Sequence, residues 1–236
     1  MPAFRPTGSR GLTNEQINPG DTLILGESSS AGANTTVGAA TLTAAQLTAG
    51  VIFRSGSAAG YTDTFDNSSN ILLALTGNNP GPALVPGSSF KVRIVNTVAY
   101  TETLTLGTGM VAGAGTTGSI AASSWRDFLF TFTNVQPAET VTVNLTNGSP
   151  TATFVLQQGQ TALQIGPALT ATNIIPGATI LAAAGVPANT TVLGVTQGQG
   201  GVVSLTMSQN ASATVAGLNL NLYPTIKVDS LGSGTL

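Results

Sequence analysis

The sequence contains no cysteine and no histidine, and only 7% of its 236 residues are charged. No charged side chain occurs between Glu139 and Lys227. General bases near neutral pH are usually histidines or tuned carboxylates and lysines, and zinc and iron ligands are mostly cysteine, histidine and carboxylates. The C-terminal third therefore lacks the residues of most enzymes. We expect a protein that is not an enzyme, needs no cofactor and acts through its shape and surface.

The few charges also argue against nucleic acid and membranes as partners. The net charge is −2 and the basic residues are scattered, whereas proteins that bind nucleic acid cluster lysine and arginine against phosphates. No apolar run reaches the roughly 18 residues of a membrane helix. Residues 1–6 contain no hydrophobic segment of a signal peptide. We predict no nucleic-acid partner, no membrane partner and synthesis in a cytoplasm.

What the sequence has in abundance is small and β-branched residues. The apolar fraction is 42%, and the chain holds 29 glycines and 12 prolines among many threonines, serines and asparagines. Threonine, valine and isoleucine favour strands, while glycine, proline, asparagine and serine favour turns. A chain of this length can bury a core without disulfides or metals. The composition therefore predicts an all-β fold of short strands and tight turns.

Two segments show the alternation of a half-buried strand. In residues 90–96, apolar side chains on one face alternate with Lys91, Arg93 and Val95 on the other. Residues 126–133 repeat the pattern with aromatic residues, which we expect to form the centre of the core. These are Phe128, Phe130 and Phe132.

One short helix is predicted over residues 66–76. Asp66 or Ser68 can cap its start, and Gly77 can close it. Residues 41–48 are compatible with a further helical turn. The apolar side chains that share one face of the predicted helix are Ile71, Leu72 and Leu75.

The character of the sequence changes near residue 140 and again near residue 223. Residues 140–222 carry no charge, and proline and glycine turns separate short strand-like segments there. We predict a β-sandwich domain from residues 21–139 and 223–236, with residues 140–222 as a charge-free β module inserted before its last strand. Two domains in series are the alternative. Residues 1–20 are predicted to be an extended arm, either frayed or ordered against a neighbouring subunit.

An ordered set of segments resembles the small β-sandwich structural proteins of tailed bacteriophages, particularly capsid decoration (cement) proteins. The segments are residues 61–64, 70–75, 89–97, 107–109, 124–134 and 229–236. In that pattern the strand that ends near Asn134 leads almost directly into the final strand, whereas here a long insert separates them. Within the insert, some segments resemble a short β module of phage virion and tail proteins. They are residues 175–180, 185–192 and 205–214.

The resemblance implies a jelly-roll-like β-sandwich that oligomerises on the outside of a capsid. The expected partners are the major capsid protein and further copies of the chain, as a dimer or trimer. The expected location is the exterior of the virion head, after synthesis in the host bacterial cytoplasm. The alternative is a tail or fibre module that binds a host-surface glycan, for which the insert offers only Phe154 and Tyr223 as aromatic platforms. A bacterial surface adhesin module is a third option.

Candidate interface residues are the scattered basic and aromatic side chains. Lys91 and Arg93 share a strand face, and Glu102 on a neighbouring strand could complete an interface ion-pair patch with them; a solvated sheet face is the preferred alternative. Tryptophan is favoured at interface hot spots, although Trp125 could equally cap the core. The complete set of candidates is Phe4, Arg5, Arg10, Lys91, Arg93, Trp125 and Arg126.

No catalytic, cofactor or metal site is predicted. Asp63 and Asp66, with Asn67, could supply oxygen atoms to calcium, but they lack the glycine and glutamate of a specific calcium loop. A turn followed by a helix cap is the preferred interpretation of these residues.

Overall fold

The computed structural model describes residues 32–77, 84–113, 118–155, 174–181, 183–198 and 201–236. Strands account for 50% of the structure and helices for 8%, which confirms the predicted all-β, β-sandwich-like fold. In chain order the elements are β1 (Gly32–Asn34), β2 (Thr41–Leu42), α1 (Ala44–Thr48), β3 (Val51–Arg54), β4 (Tyr61–Phe65), α2 (Ser68–Thr76), β5 (Ser89–Asn96), β6 (Glu102–Thr105), β7 (Met110–Ala112), β8 (Ser119–Ile120), β9 (Ser124–Asn134), β10 (Glu139–Leu145), β11 (Thr151–Phe154), β12 (Thr179–Ile180), β13 (Val192–Gly198), β14 (Gly201–Met207), β15 (Val215–Tyr223) and β16 (Thr225–Thr235).

Helix α2 lies where the sequence predicts it, but its cap differs. Asn67 has extended backbone angles, and its side chain accepts a hydrogen bond from Asn70 N at 2.8 Å. The prediction of Asp66 or Ser68 as the cap was therefore wrong by one residue. Gly77 ends the helix as predicted. Neither helix in the described ranges is long and apolar enough to cross a membrane.

The first six strands alternate between two sheets. The first sheet has the order β1-β3-β5-β9-β16-β7, and the second has the order β2-β4-β6-β8. Strands β1, β3 and β5 run parallel to each other, as do β2, β4 and β6. The chain therefore crosses from one sheet to the other after each of these strands and returns in the same direction each time. Antiparallel pairing begins in the first sheet where β9 joins β5 and β16 joins β9.

Phenylalanines form the centre of the core between these two sheets. Phe90 stacks on Phe130 with ring centroids 5.0 Å apart, and Phe65 meets Phe130 edge-on at 5.2 Å. Phe128 and Phe132 are also buried in this cluster. The predicted aromatic centre is confirmed, because the alternation in β9 places every second side chain on the inner face.

Between β9 and β16 the chain forms a third sheet, with the order β12-β15-β10-β11-β14-β13. Its two edges meet through a bridge between Thr179 and Thr191 and through hydrogen bonds that Gly177 and Val192 make across the gap. The sheet is thus a nearly closed barrel with its own hydrophobic interior. We call it the barrel below.

A buried polar junction fixes the barrel to the sandwich. Asn134, at the end of β9, donates from Nδ2 to the carbonyl oxygens of Ile175 and Pro176 at 3.3 and 2.8 Å. Gln136 Oε1 accepts from Ile175 N at 2.6 Å, and Gln136 N donates to Asn134 Oδ1 at 2.7 Å. Asn134 and Gln136 are each 1% exposed. Hydrogen bonds of this kind, shielded from water, define the position of the barrel.

Candidate binding surface

The side of the first sheet that faces away from the core gathers charged and aromatic side chains from adjacent strands. Because inward and outward side chains alternate, the burial of Phe90, Val92 and Ile94 turns their neighbours outward. We call this surface the outer face. It comprises Phe53, Lys91, Arg93, Trp125, Asp127, Lys227 and Asp229.

Ion pairs organise the centre of the outer face. Arg93 donates from Nε and Nη2 to the two carboxylate oxygens of Asp127 at 2.6 and 2.9 Å, and Lys91 Nζ lies 2.8 Å from Asp127 Oδ2. Burial alone would raise the pKa of Asp127, but hydrogen bonds from Arg93 and Lys91 outweigh it and hold the pKa below its usual range. The Asp127 side chain is 8% exposed and that of Arg93 is 41% exposed, so the surface presents mainly cations. Glu102 does not complete an ion-pair patch with these cations, because its side chain is fully buried.

An aromatic row runs beside the ion pairs. Phe53, Val95, Trp125 and Gly234 lie opposite one another on four adjacent strands. The guanidinium carbon of Arg93 lies 4.2 Å from the centroid of the Trp125 ring, a cation–π contact. Phe53 is 43% exposed. Tryptophan and arginine are the residues most enriched at binding hot spots, and here they touch each other.

The position of Trp125 depends on the absence of a side chain at residue 234. A Cβ on Gly234 would lie 2.9 Å from Cε2, Cζ2 and Nε1 of the indole. Gly234→Val should therefore push the ring off the strand and away from Arg93. Because the chain has one tryptophan, the shift is measurable as a change in intrinsic fluorescence. Gly232→Val is the matched control, since a Cβ at Gly232 meets nothing within 4 Å, and identical spectra for both variants would contradict this packing.

The remaining sequence candidates lie elsewhere. Arg126 follows Trp125 and pairs with Ile94 and Ser233 rather than with the aromatic row. With Trp125 it lines a pocket of about 250 Å³ at the end of the first sheet. The other three candidates lie outside the described residues and are Phe4, Arg5 and Arg10.

A cluster of buried charges occupies one end of the sandwich. Arg54 and Asp63 are both 0% exposed and are joined by a hydrogen bond of 2.6 Å from Nε to Oδ2. The guanidinium also donates to the backbone carbonyl oxygens of Asn34, Thr36 and Gly38. One arginine thus holds the whole turn between β1 and β2 against the inner face of β4.

Glu102 completes this cluster from β6. Its Oε2 lies 3.5 Å from Tyr61 Oη, and its Oε1 has no hydrogen-bond partner in the described part of the chain. Burial, followed by repulsion from Asp63, raises the pKa of Glu102 to about 8, although Arg54 opposes the shift. Burial, followed by the charge of Glu102, also raises the pKa of Tyr61.

The raised pKa predicts that stability falls as pH rises. The folded protein keeps the Glu102 proton up to about pH 8, whereas the unfolded chain loses it near 4.5, so this contribution is complete below pH 4.5 and is lost as the pH rises through 8. We expect the melting temperature of the wild type to fall between pH 5 and about pH 9, and Glu102→Gln to remove most of that slope. Burial also raises the pKa of Glu139, which leaves a smaller slope of the same sign. An unchanged slope in Glu102→Gln, with Asp229→Asn as the surface control, would contradict this assignment.

The buried cluster also supports the end of the sheet that carries Trp125. Asn96 Oδ1 accepts a hydrogen bond from Tyr61 Oη at 3.1 Å. The Asn96 amide donates to the carbonyl oxygens of Ile120 and Ala121 at 3.3 and 3.0 Å. Ile120 and Ala121 also line the pocket beside Trp125. The buried charges therefore fix the backbone beneath one end of the outer face.

The described residues contain no group of three or more histidine, cysteine or acidic side chains placed to hold a metal ion. Asp63 is engaged with Arg54, and Asp66 accepts hydrogen bonds from the backbone of Ala44 and Asn67. Asn67 caps helix α2, as the preferred interpretation of the sequence expects, but Asp63 lies inside strand β4 and not in a turn.

Sequence reasoning missed Phe53 and the buried cluster. The signal available for the two buried acids was the alternation of side chains along a strand. Asp63 lies on the same strand face as Tyr61 and Phe65, and Glu102 lies two residues before Leu104, on the same face.

Searches of protein-family models, curated proteins and solved structures find no match for this chain. The functional argument therefore depends on its own residues.

Proposed function

We propose that this chain is a virion structural protein of the capsid decoration class, which binds the outside of a phage head and bridges capsid subunits. The observation that carries the proposal is the outer face. It combines an exposed phenylalanine, a tryptophan stacked with arginine and a net excess of cations, on a chain whose net charge is −2. Such a face suits a partner surface with carboxylates and carbonyl oxygens.

Binding through this face would stabilise a shell by mass action. A protein that binds only the assembled lattice shifts the equilibrium toward the lattice. Because Trp125 and Arg93 already contact each other, their side chains lose less conformational freedom on binding than free side chains would. Many copies on one shell, together with contacts between copies, convert modest contacts into high avidity.

The barrel offers a different kind of surface. Thr140 and Thr142 on β10 donate hydrogen bonds to Asn221 and Asn219 on β15 at 2.7 and 2.8 Å, and these pairs are exposed. A neutral exterior of satisfied hydroxyl and amide groups suits the side that faces solvent. Phe154 is only 7% exposed and cannot serve as a stacking platform for a sugar, which leaves the half-buried Tyr223 as the remaining aromatic residue for the glycan-binding alternative.

Immunogold labelling tests the location. An antibody against the purified protein is applied to phage particles released by cells that encode the chain. Label over the head is the expected result. Label confined to the tail would overturn the decoration role in favour of host binding, and unlabelled particles would overturn both, provided the antibody recognises the native protein.

A further inference from the structure

Glu102 is a buried acid that has no cation of its own. Its side chain is 0% exposed, and its Oε1 makes no hydrogen bond within the described ranges. The guanidinium of the cluster is committed elsewhere, because Arg54 donates to both carboxylate oxygens of Asp63 and, from Nη1 and Nη2, to backbone carbonyl oxygens. Two acids therefore share one arginine, and the second acid is stable in the interior only when it is protonated.

The other groups around Glu102 supply no charge that could balance it. Tyr61 on β4 lies opposite Glu102, and burial raises the pKa of Tyr61, so its hydroxyl stays neutral. On the other side, β8 places Ile120 opposite Glu102. Strand β5 contributes Asn96, which is uncharged and accepts from the same Tyr61 hydroxyl. Loss of the Glu102 proton therefore adds an unbalanced negative charge beside Asp63.

An exposed loop lies directly before this acid in the chain. Glu102 is the first residue of β6, and four of the five residues of the preceding loop, 97–101, are exposed. Asn96 spans the loop and donates from Nδ2 to the carbonyl oxygen of Tyr100 at 2.8 Å. Asn96 also accepts from Tyr61 Oη, which lies 3.5 Å from Glu102 Oε2. The support of the loop and the buried acid thus belong to one hydrogen-bond network.

We propose that Glu102 is a pH-sensitive switch, which holds the 97–101 loop closed while it carries a proton and opens the loop when it loses that proton. The ionised carboxylate reaches water by displacing this loop, which is the adjoining exposed segment of its own chain. Burial raises the pKa of Glu102 to about 8 in the closed form. The ratio of open to closed loops therefore rises as the pH increases toward that value and levels off above it.

Opening of the loop reaches the strand that carries Trp125. The carbonyl oxygen of Val98 accepts from Ser123 N at 3.0 Å, and that of Ser123 accepts from Leu236 N at 2.9 Å. Ser123 has a φ of 48°, a left-handed conformation that serine adopts at an energetic cost. Strand β9 begins at the next residue, so release of Val98 removes a contact that holds this strained turn. The switch thus links the protonation of Glu102 to the backbone beside Trp125.

Spin labelling tests the switch, because the chain has no native cysteine. A maleimide nitroxide is attached to full-length Ala99→Cys protein, and its electron paramagnetic resonance spectrum is recorded across the pH range. We expect the ratio of mobile to immobile label to rise about tenfold or more between about pH 6 and about pH 9. Ala58→Cys is the matched control, since Ala58 is exposed in the loop that leaves β3 at the same end of the sheet, and its spectrum should stay constant.

Two isosteric variants identify the group that titrates. Glu102→Gln should remove the pH dependence of the label at Ala99→Cys. Asp63→Asn should remove it as well, because Arg54 is then free to balance Glu102, and this variant takes the place of Glu102→Gln if the latter does not fold. Circular dichroism checks the folding of each protein.

Other outcomes overturn the proposal. A constant spectrum of the Ala99→Cys label would show that the loop does not open. A rise that persists in folded Glu102→Gln protein would assign the change to another group. Equal rises at Ala58→Cys and Ala99→Cys would mean that this whole end of the sandwich loosens rather than one loop. None of these measurements involves a capsid, so they leave the proposed function to its own test.

Discussion

Replacing Arg54 with methionine is expected to lower the free energy of unfolding by about 3–5 kcal/mol, since it leaves a buried carboxylate without its partner. The change also leaves the carbonyl oxygens of Asn34, Thr36 and Gly38 without the hydrogen bonds that they accept from the guanidinium. Arg54→Lys should recover only part of the loss, because an ammonium group cannot reproduce these forked contacts.

Urea denaturation measures the effect. Arg93→Met is the matched control, because the Arg93 side chain is 41% exposed and its pairing with Asp127 is partly in solvent. We expect the Arg93 variant to lose at most about 1 kcal/mol. Replacing Arg54 and Asp63 together by leucines should be less harmful than removing Arg54 alone. Equal losses for Arg54→Met and Arg93→Met would contradict the assigned role of the buried pair.

Asn134→Ala is expected to cost about 2–4 kcal/mol, because the substitution leaves several buried backbone groups without partners. The carbonyl oxygen of Pro176 loses its donor at 2.8 Å, and Gln136 N loses its acceptor at 2.7 Å. Since this junction joins the sandwich to the barrel, we also expect faster proteolysis between β9 and β10 in the variant.

Differential scanning calorimetry and limited proteolysis measure the two effects. Asn219→Ala is the control, because Asn219 is exposed and hydrogen-bonds Thr142 on the barrel exterior. A folded Asn134→Ala protein with the stability and cleavage pattern of Asn219→Ala would show that the junction does not fix the barrel.

Alternation predicted the parts of strands in which the inner side chains are apolar. In β5 and β9 the phenylalanines lie inside, and Lys91 and Arg93 lie outside, as the pattern indicates. The signal was sufficient there because burial of apolar area and exposure of charge favour the same register.

The pattern fails where a charge is buried. In β3, hydrophobicity alone would place Phe53 inside and Arg54 outside, whereas Phe53 is 43% exposed and Arg54 is 0% exposed. The partner that stabilises Arg54 inside is Asp63, on a strand of the opposite sheet. Because that pairing depends on tertiary structure, the local sequence does not contain it. The parallel winding of β1 to β6 depends on long-range contacts for the same reason.

Co-sedimentation with phage capsids that lack this protein tests the central claim most directly. The wild type and the double variant Arg93→Ala, Trp125→Ala are compared, with Thr140→Ala, Asn221→Ala on the barrel exterior as control. If the outer face binds the shell, the wild type and the control sediment with the capsids. The face variant binds at least about 30-fold more weakly, which is the effect of one hot-spot residue of about 2 kcal/mol, since contributions of two residues that touch are not additive. A folded face variant that binds as tightly as the wild type would contradict the account.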